Sequence, residues 1–165
     1  MCLSIFQHIL SGSESMIKNV AHIGFTVSNL ERTVAFYQDV LQMVCVGHLE
    51  MAGKETEALF AQPGTKIKVA YMKRSADAAD PAVELIEFIS PEIEKSPCSL
   101  FRTSISELCF QVENIDAFYQ RLLDNNVEVL SSPQFYDATA YDMGKSRTIY
   151  FKDPDGIILE ATEEV

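Results

Sequence analysis

The chain states one pattern twice, and each copy carries polar residues at matched ends. The first copy opens His22-Ile-Gly-Phe-Thr-Val27 and closes Val83-Glu-Leu-Ile-Glu-Phe88; the second opens Glu107-Leu-Cys-Phe-Gln-Val112 and closes Ile158-Leu-Glu-Ala-Thr-Glu163. Superposed, Phe25 falls on Phe110, Val27 on Val112, Asn29 on Asn114 and Leu30 on Ile115. His22 then falls on Glu107 and Glu84 on Glu160, with the opening and closing positions 62 residues apart in one copy and 53 in the other. A duplicated unit that repeats a potential ligand at both ends builds a four-ligand site if its halves face each other.

The periodicity within each copy supports this reading. In 22–27 the apolar Ile23, Phe25 and Val27 alternate with His22, Gly24 and Thr26, as in a half-buried strand. Ser28-Asn-Leu-Glu31 has the spacing of a capping box and opens a helix in which Leu30, Val34, Tyr37 and Leu41 recur on one face. Strands are expected at 44–50, 57–60, 67–72 and 83–89, with Pro63-Gly64 as a turn. The second copy repeats the order: a strand at 107–112, a helix at 115–123 ended by Asn125-Asn126, and strands at 127–130 and 148–151. The tight turn Asp153-Pro-Asp-Gly156 then leads into a closing strand at 157–162. Residues 133–145 read as a mobile loop over one end. The organisation expected is an extension at 1–17, a first module at 18–90, a linker at 91–104 and a second module at 105–165. Each module is too small to bury a core alone, so the two should pack together or pair with another chain.

Composition narrows the classes. The chain has 165 residues, 47% of them hydrophobic, enough for a packed core. Its 13 basic and 24 acidic residues give a net charge of −11, which repels nucleic acid and anionic membranes. No apolar run has the length of a membrane span. Residues 1–10 lack the basic start of a secretory signal and read as a short appended helix or disordered leader, with Met16 an alternative start. Cys2, Cys45, Cys98 and Cys109 show no C-x-x-C spacing, so the simplest setting is a reducing cytoplasm.

The candidate site follows from the alternation. His22, Glu84, Glu107 and Glu160 should share the inner face of the sheets, with Thr26, Phe88, Cys109, Gln111, Thr148 and Tyr150 as pocket walls. Cys109 is expected to be a buried, inert thiol. Glu87 and Glu163 read as surface charges at strand ends. Arg102, Lys145 and Arg147 are the cations that could hold a carboxylate or phosphate. His8 and His48 have no partner by spacing.

The stretches His22-Ile-Gly-Phe-Thr-Val27 with Phe36-Tyr37, Val83-Glu-Leu-Ile-Glu87 and Tyr150-Phe-Lys-Asp-Pro-Asp-Gly-Ile-Ile-Leu-Glu160 resemble the vicinal oxygen chelate superfamily. That superfamily includes glyoxalase I, methylmalonyl-CoA epimerase, extradiol dioxygenases and the fosfomycin and bleomycin resistance proteins. The resemblance covers residues 18–163 and implies an α+β fold of paired βαβββ modules, a curved mixed-sheet cup with helices outside. It also implies a divalent metal (Mn, Mg, Fe, Ni, Co or Zn) held by His22, Glu84, Glu107 and Glu160. Many metal-binding members have His where this chain has Glu107, and one imidazole with three carboxylates suits Mn²⁺, Mg²⁺ or Fe²⁺ better than tetrahedral zinc. The implied activity is that of a glyoxalase-type lyase or isomerase on a small carbonyl substrate, with Glu160 or Glu107 moving a proton. Two alternatives stand beside it: a metal-free protein that sequesters a small molecule, and an extradiol-type dioxygenase. The dioxygenase requires two His ligands, and only His22 is available. A homodimer is the expected assembly.

Overall fold

A computed structural model of the chain describes residues 16–165, so the expected N-terminal helix or leader at 1–10 lies outside the described residues. The first module runs β1 (His22–Val27), α1 (Leu30–Asp39), β2 (Val44–Ala52), α2 (Lys54–Phe60), β3 (Lys66–Lys73) and β4 (Ala82–Ser90). The second runs β5 (Leu108–Gln111), α3 (Ile115–Asp124), β6 (Gln134–Asp137), β7 (Lys145–Lys152) and β8 (Ile158–Glu164). Their sheets are ordered β1-β4-β3-β2 and β5-β8-β7-β6. In each, the opening strand lies parallel to the closing strand and the other pairs are antiparallel. A parallel pair needs a long crossover, which α1 and α3 begin in their respective modules. This is the expected α+β fold.

Strand alternation sets which face is buried. Phe25, Val27, Ala70, Met72 and Leu85 of the first sheet meet Ile149, Phe151, Leu159 and Ala161 of the second in a single core cluster, with Leu30, Tyr37, Ile115 and Leu122 contributed by the helices. Polar contacts brace α1 from the second module at both ends. Arg121 donates to the carbonyls of Val40 (2.6 Å) and Asp39. Asp155 accepts from Ser28 Oγ (2.5 Å) and Thr33 Oγ1 (3.2 Å) and pairs with Arg32 (2.7 Å).

The structure corrects several local expectations. Residues 57–60 are not a strand: they finish α2, which starts after Gly53 at φ +96° and carries Glu55 and Glu57 in its first turn, where the helix dipole favours negative charge. Phe60 then packs edge-on against Phe88 at 5.3 Å. Residues 127–130 contribute only the single bridge Val129 to Phe151, and β6 forms instead at Gln134–Asp137, inside the stretch expected to be a loop. Ser28 does not cap α1. Asn29 does, accepting from Arg32 N at 2.8 Å, and its repeat mate Asn114 caps α3 by accepting from Ala117 N at 2.9 Å. Nor are Glu87 and Glu163 plain surface charges, since they accept from the first helical N–H groups, Leu30 N (3.0 Å) and Ile115 N (3.3 Å). These N–H groups have no partner within their own helices.

The turn before β8 contains an unusual acid. Asp153 is 5% exposed; its Oδ1 accepts from Asp155 N (2.9 Å) and Ile157 N (2.8 Å), while Oδ2 and the nearby hydroxyl of buried Tyr37 have no hydrogen-bond partner. Burial pushes the Asp153 carboxyl up to about 6, against the pull of the two backbone donors and Arg32. The folded chain therefore holds a proton that the unfolded chain has released, so this residue makes stability fall as pH rises from about 4 to about 6. Asp153→Asn keeps an oxygen for the two N–H groups and removes the charge. It is expected to be more stable than the wild type at pH 7.5, by up to about 3 kcal/mol. The difference should vanish near pH 4, as urea melts of both proteins at the two pH values would show.

Candidate metal centre

The first half-site lies on the face of its sheet turned away from the core. Glu84 stands between Gly24 and Tyr71 in the strand ladder. Tyr71 Oη donates to Glu84 Oε1 at 2.7 Å, and Oε2 lies 3.3 Å from His22 Nε2. A side chain at residue 24 would put its Cβ 3.3 Å from the same Oε2, so glycine leaves the carboxylate room to lean toward His22. The imidazole side chain is 45% exposed and the Glu84 side chain 14%, so the pair opens to solvent on the His22 side. The Tyr71 ring meets His22 edge-on at 6.0 Å, and its hydroxyl is pushed up to about 12 by the hydrogen bond to Glu84, with burial adding.

The second half-site repeats the row with different chemistry. Glu160 stands between Cys109 and Tyr150, the ladder counterparts of Gly24 and Tyr71. Here the hydroxyl that holds the carboxylate comes from Thr148, donating to Oε1 at 2.7 Å. Cys109 is exposed, contrary to the sequence expectation, and partners Glu160. Desolvation within the half-site and the charges of Glu160 and Glu107 push its thiol up to about 12. Tyr150 is raised by burial and by Glu160, Glu107, Cys109 and Tyr136, which places all of these within one electrostatic neighbourhood.

The chain thus joins His22 to Glu84, and Glu160 to Thr148 and Cys109, with Tyr150 beside it in the ladder and the charge of Glu107 felt by Cys109 and Tyr150. It does not join the two pairs: among the described residues, no three His, Cys, Asp or Glu side chains gather where one metal ion could bind them. A cavity of about 910 Å³ runs between the modules past Ile23, Val83, Leu108 and Phe118, and its lining includes Cys109 and Gln111 but none of the four candidate ligands. Phe88 lies under α2 against Phe60, and Thr26 is exposed on β1. Two candidate anion-binding cations are engaged elsewhere. Arg147 holds Asp116 through two contacts of 2.6 and 2.7 Å, and Lys145 lies 3.4 Å from Asp137. Tyr71 is the residue that sequence reasoning missed, although it occupies in the first copy the place of Tyr150 in the second.

Comparison with known proteins gives a consistent result. The profile of the glyoxalase/bleomycin resistance protein/dioxygenase superfamily matches residues 19–161. A metallothiol transferase FosB from Shouchella clausii is 27% identical over 147 residues, covering 88% of this chain and 80% of that protein. One from Staphylococcus saprophyticus is 24% identical over 143 residues, covering 86% and 74%. Among solved structures, a glyoxalase family protein from Bacillus cereus superposes with a TM-score of 0.76 at 17% identity, covering 93% of this chain and 99% of that one. The trypanothione-dependent glyoxalase I of Leishmania major gives 0.57 at 14% identity, covering 90% and 88%. Within the described residues, no helix is long and apolar enough to cross a membrane.

Proposed function

Because the chain belongs to the glyoxalase/bleomycin resistance protein/dioxygenase superfamily, we propose that it is a metal-dependent lyase or isomerase acting on a small carbonyl compound, with each site shared between two copies. The observation that carries this reading is the matched pair of closing carboxylates, Glu84 and Glu160, each oriented by a hydroxyl from the neighbouring strand. The donors suit a divalent ion. His22 Nε2 and Glu84 Oε2 are 3.3 Å apart, close to the roughly 3 Å between two donors that meet one ion at right angles. His22 and Glu84 of one copy would be joined by Glu107 and Glu160 of another, because the two half-sites of a single chain lie on outward faces over a common core.

A divalent metal there supplies Lewis acidity to a substrate oxygen. The rest is the chain's own work. Three ionised carboxylates leave one negative charge in excess of a dication, so one of them stands as the base. Glu160 takes the proton from the carbon next to the carbonyl and returns it to the neighbouring carbon, and Thr148 keeps the carboxylate aimed. Glu107 is the alternative base. Tyr150, Thr26, Phe88, Gln111 and Cys109 shape the pocket.

A second reading, thiol transfer, is favoured by the curated relatives, which are metallothiol transferases. The two differ in what happens to carbon-bound hydrogen. Small carbonyl compounds would be incubated with the Mn²⁺-loaded protein in deuterated water, with and without a thiol. Enzyme-dependent deuterium at carbon is expected for the lyase or isomerase. Stoichiometric loss of free thiol without deuterium uptake would replace that reading by thiol transfer.

A further inference from the structure

Two residues that the candidate centre does not use meet on β2. Cys45 Sγ lies 3.2 Å from His48 Nε2 and 3.5 Å from the carbonyl of Gly47. In a regular strand, residues three apart project to opposite faces. Here the pairing with β3 shifts between Cys45 and Gly47, leaving Val46 as an extra residue. Cys45 then stands opposite Met72 and His48 opposite Ala70, both on the core side of the sheet. The bulge thus brings the thiol and the imidazole to one face, while Gly47 stays opposite Tyr71 on the other. Bulges recur where a strand must re-aim a side chain. His48 is exposed and Cys45 half-buried on an edge strand, so a small reagent reaches the sulfur from the His48 side without displacing a neighbouring strand. No third His, Cys, Asp or Glu among the described residues joins the pair into a metal site, which leaves nucleophile and base as the chemistry available.

We propose that Cys45 and His48 form a reactive thiol site, separate from the metal centre, that low-molecular-weight disulfides modify. The imidazole takes the proton from Cys45 Sγ, and the thiolate attacks one sulfur of R–S–S–R. The S–S bond of the reagent breaks, a Cys45–S–S–R bond forms, and the departing RS⁻ takes the proton back from the imidazolium. The other described cysteines serve as internal comparisons. Cys98 is exposed but lacks an imidazole, and Cys109 faces the carboxylates of Glu160 and Glu107, which oppose thiolate formation.

The test treats the full chain with oxidised glutathione at neutral pH and follows each cysteine by peptide mass spectrometry. Cys45 is expected to be modified about tenfold faster than Cys98, the gain from an imidazole placed to take the thiol proton as the sulfur attacks. His48→Ala should slow Cys45 about tenfold and leave Cys98 unchanged, and added imidazole should restore part of the lost rate. The proposal is overturned if Cys45 reacts no faster than Cys98 in the wild type, a comparison that does not depend on how any variant folds. It is equally overturned if His48→Ala leaves the rate of Cys45 unchanged, or if imidazole restores none of it.

Discussion

Exchanging Glu160 for Gln is expected to weaken Mn²⁺ binding by at least about a hundredfold, roughly 3 kcal/mol, with the fold intact. Gln has nearly the volume of Glu, and its amide oxygen can still accept the Thr148 hydroxyl that holds Glu160 at 2.7 Å. What it gives up is the negative charge. Because the unfolded chain cannot gather the proposed ligands, Mn²⁺ should raise the melting temperature of the wild type, and this rise should collapse in the variant. His22→Ala should collapse it as well. Co-refolding the two variants then tests the assembly. In a mixed dimer built across chains, one site carries both substitutions and the other carries neither, so metal binding should reappear in the mixture. A mixture as unresponsive as its two parents would rule out the shared site. A Glu160→Gln protein that is more stable than a wild type indifferent to metal would point to a sequestering protein, since the substitution relieves repulsion among carboxylates.

Truncating Phe151 to Ala is expected to destabilise the fold by about 3–5 kcal/mol. The ring is fully buried, meets Phe118 edge-on at 5.6 Å and belongs to the cluster that both modules share. The loss combines the transfer of a large apolar surface with the cavity left behind, and few neighbours can close in, because sheet residues surround it. Phe135, on β6 and 58% exposed, gives the contrast: its truncation should change stability by less than about 0.5 kcal/mol. Urea midpoints of the two variants measure both. If Phe151→Ala cost under about 1 kcal/mol, the common core between the modules would be in error.

The repeat made much of this architecture legible. The matched pairs Asn29 and Asn114 turn out to be the two helix caps, and Glu84 and Glu160 hold equivalent places in their ladders. What stayed hidden depends on contacts between distant residues or on irregular backbone. Ser28 has the spacing of a cap, yet its hydroxyl is drawn to Asp155, 127 positions away. Residues 57–60 suit either helix or strand, and the choice fell to the turn at Gly53 and the packing of Phe60 on Phe88. His48 looked partnerless because a bulge cannot be read from spacing. The separation of the two half-sites was likewise invisible, since alternation says which residues share a face and not which way two sheets turn.

The closing strands have a consequence for how such a chain can change over generations. Each bears its site carboxylate on one face and, three residues on, the carboxylate that anchors its helix on the other: Glu84 with Glu87, and Glu160 with Glu163. Losing or gaining one residue between them would invert one member of the pair, removing either the candidate ligand or the anchor. Heritable change in these strands is therefore confined to replacement at fixed length. Freedom to lengthen or shorten belongs to the outermost strands and to the connection from α3 to β7, where new chemistry can be tried without undoing the frame.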